Sequence, residues 1–187
     1  VCGQVTKRPI FDFVSTDINP NAALTVFAHP DNYSFGILQS GIHWQWFIER
    51  CSTIKSDPRY TSNTVFDSFP WPQKPTIAQV KKVATRSVAL RKLREELRQK
   101  HNLPLRELYR SLELPGAHPL KAAHDALDAA VREAYGMTKK ANPLEFLLDL
   151  NAKVVAAEEA GASIEGPGLP SFVTKTKQFI SADCIHP

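Results

Sequence analysis

A capping box at residues 76–79 determines where the longest helix of the chain begins. Thr76 occupies the N-cap position and Gln79 stands three residues later, directly after Pro75. The Thr hydroxyl can accept a hydrogen bond from the third helical N–H while the Gln side chain reaches back to the cap, which satisfies two otherwise unpaired groups. Apolar residues recur at helical spacing as far as His101, so we predict a helix about 39 Å long. Its predicted buried stripe is Ile77, Val80, Ala84, Val88, Leu90, Leu93 and Leu97.

Three further helices are predicted after this one. A short helix over residues 104–112 ends before Pro115 and Gly116. The next runs from Pro119 to Tyr135, with Pro at its first position and Gly just beyond its end. A last helix starts from an Asn142 cap and ends near Gly161. From about residue 161 the tail is rich in Gly and Pro, and we expect a loop with one strand at residues 172–174.

Residues 1–75 have a mixed pattern. Residues 9–14 and 23–28 carry the β-branched and aromatic content of strands. A helical pattern extends from Asp31 to about Arg50, with Gly36 and Gly41 as weak points. The fold class predicted is α+β: a small mixed α/β domain over residues 1–75, followed by an α-helical domain of about four helices over residues 76–187.

The basic charge is concentrated in the middle of the chain. Residues 76–140 carry fourteen basic and seven acidic side chains, a net charge of +7, whereas the whole 187-residue chain has a formal charge of +4. Such an imbalance attracts polyanions, although a solvated helix face is an equally good explanation.

Several function classes lack their sequence signatures. The glycine-rich dinucleotide and nucleotide loops, the zinc-deaminase motif and the hydrolase nucleophile elbow are all missing. Cys51 and His43 share a region, but a small, partly buried cysteine is the better interpretation. The three cysteines are widely spaced and no histidine pair has metal-ligand spacing, so we predict no metal and no catalytic residue. We expect no membrane span, a cytoplasmic location, and, from the start at Val1, a fragment of a larger protein.

Three sequence blocks together are specific enough to indicate a family. They are residues 35–43, residues 60–72 with the Phe-Pro-Trp-Pro sequence at their end, and residues 124–136 with the pattern His-x-Ala-Leu-Asp-x-Ala-Val. In this order they resemble the carboxy-terminal part of large adenine-specific DNA methyltransferases. The group they are most similar to is the type IIL restriction-modification (MmeI-like) enzymes and their stand-alone methyltransferase relatives, over residues 10 to 165.

The resemblance implies the end of a DNA target-recognition domain over residues 1–75 and a helical domain after it. It implies double-stranded DNA and the upstream methyltransferase domain of the same bacterial parent as partners. S-adenosylmethionine would be the parent's cofactor, and none would bind in this fragment. The parent's glycine loop, its Asn-Pro-Pro motif and any nuclease centre are not in this sequence, so whether the parent also cleaves DNA stays open. The alternative is a helical scaffold for protein–protein assembly.

The resemblance places base-reading residues in the polar segment before Phe69. In an extended strand, Lys55 and Asp57 project from the same face, about 6 to 7 Å apart. Lys donates to guanine O6 and N7, and Asp accepts from N4 of the paired cytosine, so the pair is complementary to one G·C base pair. A surface ion pair beside a turn is the alternative.

Other polar residues are candidates for phosphate contacts, which position a protein on DNA without selecting a sequence. Tyr60 has the alternative of packing against Trp71. Phe69, Trp71 and Trp46 are assigned to the core, as is His124. Arg91 is a further candidate on the long helix, where an ion pair with Glu95 is the alternative. The phosphate candidates are Arg59, Tyr60, Ser62, Arg50, His43, Lys81, Lys82 and Arg86.

Overall fold

A computed structural model describes residues 1–185. The α+β prediction is confirmed, because several helices accompany two small antiparallel sheets. The helices are α1 (Asn32–Gln39), α2 (Gly41–Arg50), α3 (Ile77–His101), α4 (Leu105–Arg110), α5 (Pro119–Ala134), α6 (Pro143–Glu159) and α7 (Ala182–Ile185). The strands are β1 (Cys2–Gly3), β2 (Leu24–Thr25), β3 (Ser52–Ile54) and β4 (Asp57–Arg59). A π-helical turn covers Ser62–Phe66, and 3-10 turns cover Ser111–Glu113 and Thr176–Phe179.

The helical pattern from Asp31 to Arg50 forms two helices instead of one. The chain turns at Ser40, whose ψ of 153° is extended, and the Ser40 hydroxyl caps α2 by accepting from the His43 N–H at 3.2 Å. The Gly41 N–H donates to Asp128 Oδ1 on α5 at 2.8 Å. A Cβ at Gly41 would lie 2.6 Å from Asp128 Oδ2, so any larger residue where α2 meets α5 would displace the Asp128 carboxylate.

The long helix begins and ends where the capping box and the periodicity predict. Thr76 and Gln79 form both bonds of the capping box, and Asn102 ends α3 in the left-handed conformation. Its buried face is rotated from the predicted stripe, because Ile77 is 43% exposed whereas Arg91 and Arg94 are buried. α3 packs mainly against α1 and α5.

The two predicted strands in the first part are largely wrong. Residues 9–14 form no strand, and only Leu24–Thr25 of residues 23–28 pairs, with β1. In this segment, side chains form the hydrogen bonds to backbone N–H and carbonyl groups that a neighbouring strand would otherwise form. The Phe11 N–H donates to Gln39 Oε1 at 2.9 Å, and the Phe11 carbonyl accepts from Arg94 at 2.8 Å.

The later helices end as predicted, whereas the tail differs. Gly136 and Gly161 follow α5 and α6 with φ of +69° and +71°, values that favour glycine. The strand expected at residues 172–174 does not form. The tail instead packs back on the helices, where Asp183 binds Arg91 Nε at 2.8 Å.

One hydrophobic core extends through the whole arrangement. Trp46 and Val65 from the first part share it with Leu90, Leu127 and Leu147 from the helical part. The boundary at residue 75 stays a prediction, and packing across it is extensive. No helix within residues 1–185 combines the length and the apolar character needed to cross a membrane.

Candidate nucleic-acid interface

The hairpin made by β3 and β4 is an exposed polar structure in the first part of the chain. Ser52 pairs with Arg59 and Ile54 pairs with Asp57, so Lys55 and Ser56 form a two-residue loop. Both loop residues have positive φ, 50° and 74°, which is the type I′ geometry that matches the twist of the strands. Non-glycine residues in this conformation carry backbone strain, and such strain is often found at functional loops.

This geometry corrects the extended backbone assumed for Lys55 and Asp57. Lys55 lies in the turn, whereas Asp57 is the first residue of β4, so the two side chains do not project from one strand face. Both are exposed and stand at the same tip of the hairpin. Their role in reading bases stays a prediction.

Tyr60 anchors the base of the hairpin in the core. It follows β4 directly, is 0% exposed, and its hydroxyl lies 3.0 Å from His43 Nε2. Its ring stacks on Phe47 with centroids 5.6 Å apart and meets the rings of Phe11 and Phe27 edge-on. The alternative partner predicted for Tyr60, Trp71, instead packs with other aromatic rings, among them Phe69.

The burial of Tyr60 and His43 corrects their assignment as phosphate contacts. Desolvation lowers the pKa of His43 to about 3 and raises the pKa of Tyr60, so neither group is charged at neutral pH. Both are bonded to each other inside the core and do not reach a surface where a phosphate could lie. Their function in this structure is to hold the hairpin.

Residues 4–6 form a third extended segment beside β4 of the hairpin. The sequence alone did not indicate this pairing. The Tyr60 N–H donates to the Gln4 carbonyl at 2.7 Å, and the Thr6 N–H donates to the Pro58 carbonyl at 3.0 Å. Val5 is therefore paired with Arg59. This pairing has a separation of more than fifty residues, and neither partner carries a local signal for it.

Three of the predicted phosphate contacts lie near the hairpin. Ser62 is exposed and begins the π-helical turn, a rare geometry that is often found at functional sites. Arg59 is half-buried, and its Nε atom is buried without a hydrogen-bond partner. Arg50 is exposed, with its guanidinium carbon 4.8 Å from the centroid of the Trp46 ring. Their role in binding phosphate stays a prediction.

The basic residues of α3 divide into an exposed and a buried set. Lys81 and Arg86 are exposed, and Lys82 bonds Glu133 at 2.7 Å on the surface. Arg91 is buried, bonded to Asp183 and to Ser87, which rules it out as a DNA contact and corrects that interpretation. The alternative ion pair of Arg91 is also wrong, because the Glu95 carboxylate binds Arg98 at 3.1 Å. The hairpin is not among the main packing partners of α3.

The aromatic residues of the Phe-Pro-Trp-Pro block are in the core as predicted. Phe69 and Trp71 are 4% and 2% exposed, and Trp46 is fully buried. The Tyr135 hydroxyl donates to the Pro70 carbonyl at 2.8 Å and ties the block to α5. His124 is buried too, 3.0 Å from the Tyr109 hydroxyl, which confirms its assignment to the core.

Residues 1–185 contain no cluster of side chains suited to a metal ion. No group of three His, Cys, Asp or Glu residues is placed there to hold a metal ion. Cys2 and Cys184 are buried and Cys51 is half-buried, all as free thiols, and burial raises the pKa of Cys2 to about 12. The expected absence of a metal and of a catalytic residue stays a prediction.

This chain is similar to one protein-family model, one bacterial protein and one solved structure. Residues 9–73 match the family model of the MmeI target recognition domain. DNA methyltransferase A of Bacillus subtilis (strain 168) is 33% identical over 103 residues, which is 55% of this chain and 11% of that protein. A solved structure of the type IIL restriction-modification enzyme MmeI in complex with DNA matches with a TM-score of 0.55 and 27% identity. That match covers 67% of this chain and 16% of the MmeI chain.

These comparisons confirm the resemblance that the three sequence blocks indicate. The hairpin, Tyr60 and the Phe-Pro-Trp-Pro block all lie within the matched residues 9–73. The chain spans less than a fifth of the length of either relative.

Proposed function

We propose that this chain selects and holds the DNA target site of a site-specific adenine-N6 methyltransferase of the restriction-modification type, because residues 9–73 match the family model of the MmeI target recognition domain. The exposed tip of the β3–β4 hairpin, inside the matched residues, carries this proposal. The major groove of B-DNA admits a two-stranded ribbon of this kind.

Lys55 and Asp57 read one G·C base pair from this tip. The Lys55 ammonium donates to O6 and N7 of guanine, and the Asp57 carboxylate accepts from N4 of cytosine. A favourable contact of this kind is worth about 1–3 kcal/mol of discrimination against a wrong base. The buried Tyr60 supports the proposal, because it anchors the end of the hairpin away from the tip. An anchored hairpin limits the positions that the Lys55 and Asp57 side chains can take.

Phosphate contacts provide the affinity that the reading step needs. Arg59, Ser62 and Arg50 lie near the hairpin, and Lys81, Lys82 and Arg86 extend the basic surface along α3. Such contacts fix orientation and release counterions, so binding weakens steeply with salt. A scaffold that docks other proteins through an apolar surface would bind them with an affinity that depends only weakly on salt. The salt dependence of binding therefore distinguishes the scaffold from a DNA-binding module.

The methyl-transfer chemistry belongs to the parent protein in this proposal. S-adenosylmethionine would supply the methyl group, and the adenine would be flipped out of the duplex. We expect that cofactor to bind outside this chain. One cavity of about 290 Å³, lined by Gln73, Lys74, Glu133, Tyr135 and Phe146 among others, has no glycine-rich loop at a helix start. The upstream methyltransferase domain is the proposed partner, and the bacterial cytoplasm is the proposed location.

A modified-base map of genomic DNA tests the proposal. The parent protein is expressed beside a variant in which Lys55→Asp and Asp57→Lys exchange the two charges. We expect N6-methyladenine in one defined motif, and one G of that motif changed to C by the exchange. An exposed pair on α6, Asp149 and Lys153, provides the matched control, because exchanging it must leave the motif unchanged.

Two results would contradict the proposal at different levels. If the motif is unchanged by the Lys55 and Asp57 exchange, these residues are surface residues and the reading mechanism is wrong. If the folded parent methylates no DNA and the chain does not bind DNA, the scaffold function is favoured instead.

A further inference from the structure

Val5 is an exposed aliphatic residue beside the hairpin, and the proposed function does not use it. It is 49% exposed, although it pairs with Arg59 and the flanking residues Gln4 and Thr6 form backbone hydrogen bonds. Its exposure therefore comes from a regular, well-bonded strand position and not from a loose terminus.

The register of the three segments places Val5 on the outer face of the sheet. Val5 is opposite Arg59, and Arg59 is opposite Ser52, so these three side chains form one row across the sheet. Successive residues of a strand point to opposite faces. Tyr60, the next residue after Arg59, is fully buried, so the row that contains Val5 faces away from the core.

Charged side chains and one further exposed aliphatic residue, Ile54, share this face with Val5. Asp57 and Ile54 form the next row toward the tip, and Arg59 separates Val5 from the hairpin strand beyond it. Lys7, two residues after Val5, is exposed. An exposed aliphatic side chain beside cationic groups is complementary to DNA, because the C5-methyl of thymine is the apolar group that base edges present in the major groove.

We propose that Val5 contacts the C5-methyl group of one thymine in the recognition sequence, which makes residues 4–6 a third extended segment of the reading surface. This inference rests on the proposed function, since it needs the outer face of the hairpin to lie in the major groove. Val5 is then a specificity-determining residue that prefers an A·T pair at one position of the motif.

Uracil provides a direct test, because it differs from thymine only by the missing methyl group. The motif is first read from the methylation map of the parent protein. Duplexes are then made in which each thymine of the motif is replaced singly by uracil. We expect the wild-type parent to lose about fourfold in affinity at one thymine, the amount that follows from one buried methyl group. The variant Val5→Ser should bind the thymine and uracil duplexes equally at that position.

Two further variants separate a contact with DNA from an effect on folding. Val5→Ile keeps an aliphatic side chain and should retain the preference for thymine. Val155→Ser removes an equally exposed valine on α6, 44% exposed, and should respond to uracil as the wild type does. Thermal melting of each variant reports its stability.

Each remaining outcome counts against the inference. It is overturned if no single uracil weakens the wild type, or if Val5→Ser loses as much as the wild type at every position. In another outcome, Val5→Ser melts at a lower temperature than the wild type and shows the same loss of affinity with uracil as the wild type. That result would show that Val5 is covered by protein. If the wild-type parent shows no sequence-specific binding, the proposed function itself fails, and that result is visible before any Val5 variant is measured.

Discussion

The Tyr60 hydroxyl lies 3.0 Å from Nε2 of His43, and this bond joins the exposed hairpin to the interior of the first helix pair. Tyr60 follows β4 immediately, and His43 belongs to α2. A second pair of the same kind, Tyr109 with His124, joins α4 to α5 at the same distance of 3.0 Å. Only the Tyr60–His43 pair lies next to the hairpin. Comparing variants of the two pairs therefore distinguishes an effect on the hairpin from an effect on the stability of the whole chain.

Replacing Tyr60 by Phe should loosen the hairpin. The substitution leaves His43 Nε2 buried without a partner, which costs about 1–3 kcal/mol of unfolding free energy. Urea denaturation measures that loss, and amide hydrogen exchange of residues 52–59 measures the local effect. Tyr109→Phe is the matched control: it should lower stability similarly without faster exchange in the hairpin. Equal exchange in both variants would contradict a supporting role for Tyr60.

Stability should fall as the pH drops below about 6.5. Burial lowers the pKa of both His43 and His124 to about 3 in the folded chain, from an ordinary 6.5. Between these values the unfolded state binds protons that the folded state does not, so stability is present above pH 6.5 and is lost toward pH 3. Urea titrations at several pH values should show this slope. It should be smaller in His124→Gln and unchanged in His101→Gln, an exposed position.

Arg94→Ala should be strongly destabilising. Arg94 is 4% exposed, donates to the Phe11 carbonyl at 2.8 Å and pairs with Asp12. Removing it leaves the buried Phe11 carbonyl without its Arg94 donor and breaks an ion pair whose Asp12 side chain is 38% exposed, at a cost of about 1–3 kcal/mol. Arg86→Ala, on the exposed side of α3, is the control for loss of a cation. If both variants denature at the same urea concentration, the anchoring role of Arg94 is wrong.

Gly41→Ala should disturb the contact of α2 with α5. The new Cβ would lie 2.6 Å from Asp128 Oδ2, so the carboxylate must move and its bond to the Gly41 N–H lengthens. We expect a loss of about 1–3 kcal/mol, measured by thermal or urea unfolding. In the double variant Gly41→Ala/Asp128→Ala, the loss of unfolding free energy should be smaller than the sum of the losses in the two single variants. Gly3→Ala meets nothing within 4 Å and should be neutral.

Two cations on α3 should contribute to DNA affinity without affecting its sequence preference. Lys81→Ala and Arg86→Ala each remove one exposed charge from the basic surface. If each contacts one phosphate, the log–log slope of affinity against salt should decrease by about 0.9 per variant. Fluorescence anisotropy on specific and non-specific duplexes measures this, with Lys153→Ala as the control. An unchanged slope would place these residues outside the interface.

Features that depend on a few neighbouring residues could be predicted from the sequence. The capping box at Thr76, the Asn142 cap and the glycines after α5 and α6 predicted helix ends that the structure confirms. These signals are readable because a cap bonds backbone groups within four residues of itself. The aromatic residues at 69–72 and at 46 were assigned to the core correctly, since large rings are too costly to leave in water.

Tertiary structure decided which polar residues stay on the surface. Nothing local separates Arg86 from Arg94, yet only Arg94 is buried, and the sequence left open whether Tyr60 is on the surface or in the core. The burial follows from partners far away in the chain, such as Phe11 for Arg94 and His43 for Tyr60. The pairing of Val5 with Arg59 has the same origin, because strand register depends on packing between distant segments, which no short stretch of sequence records.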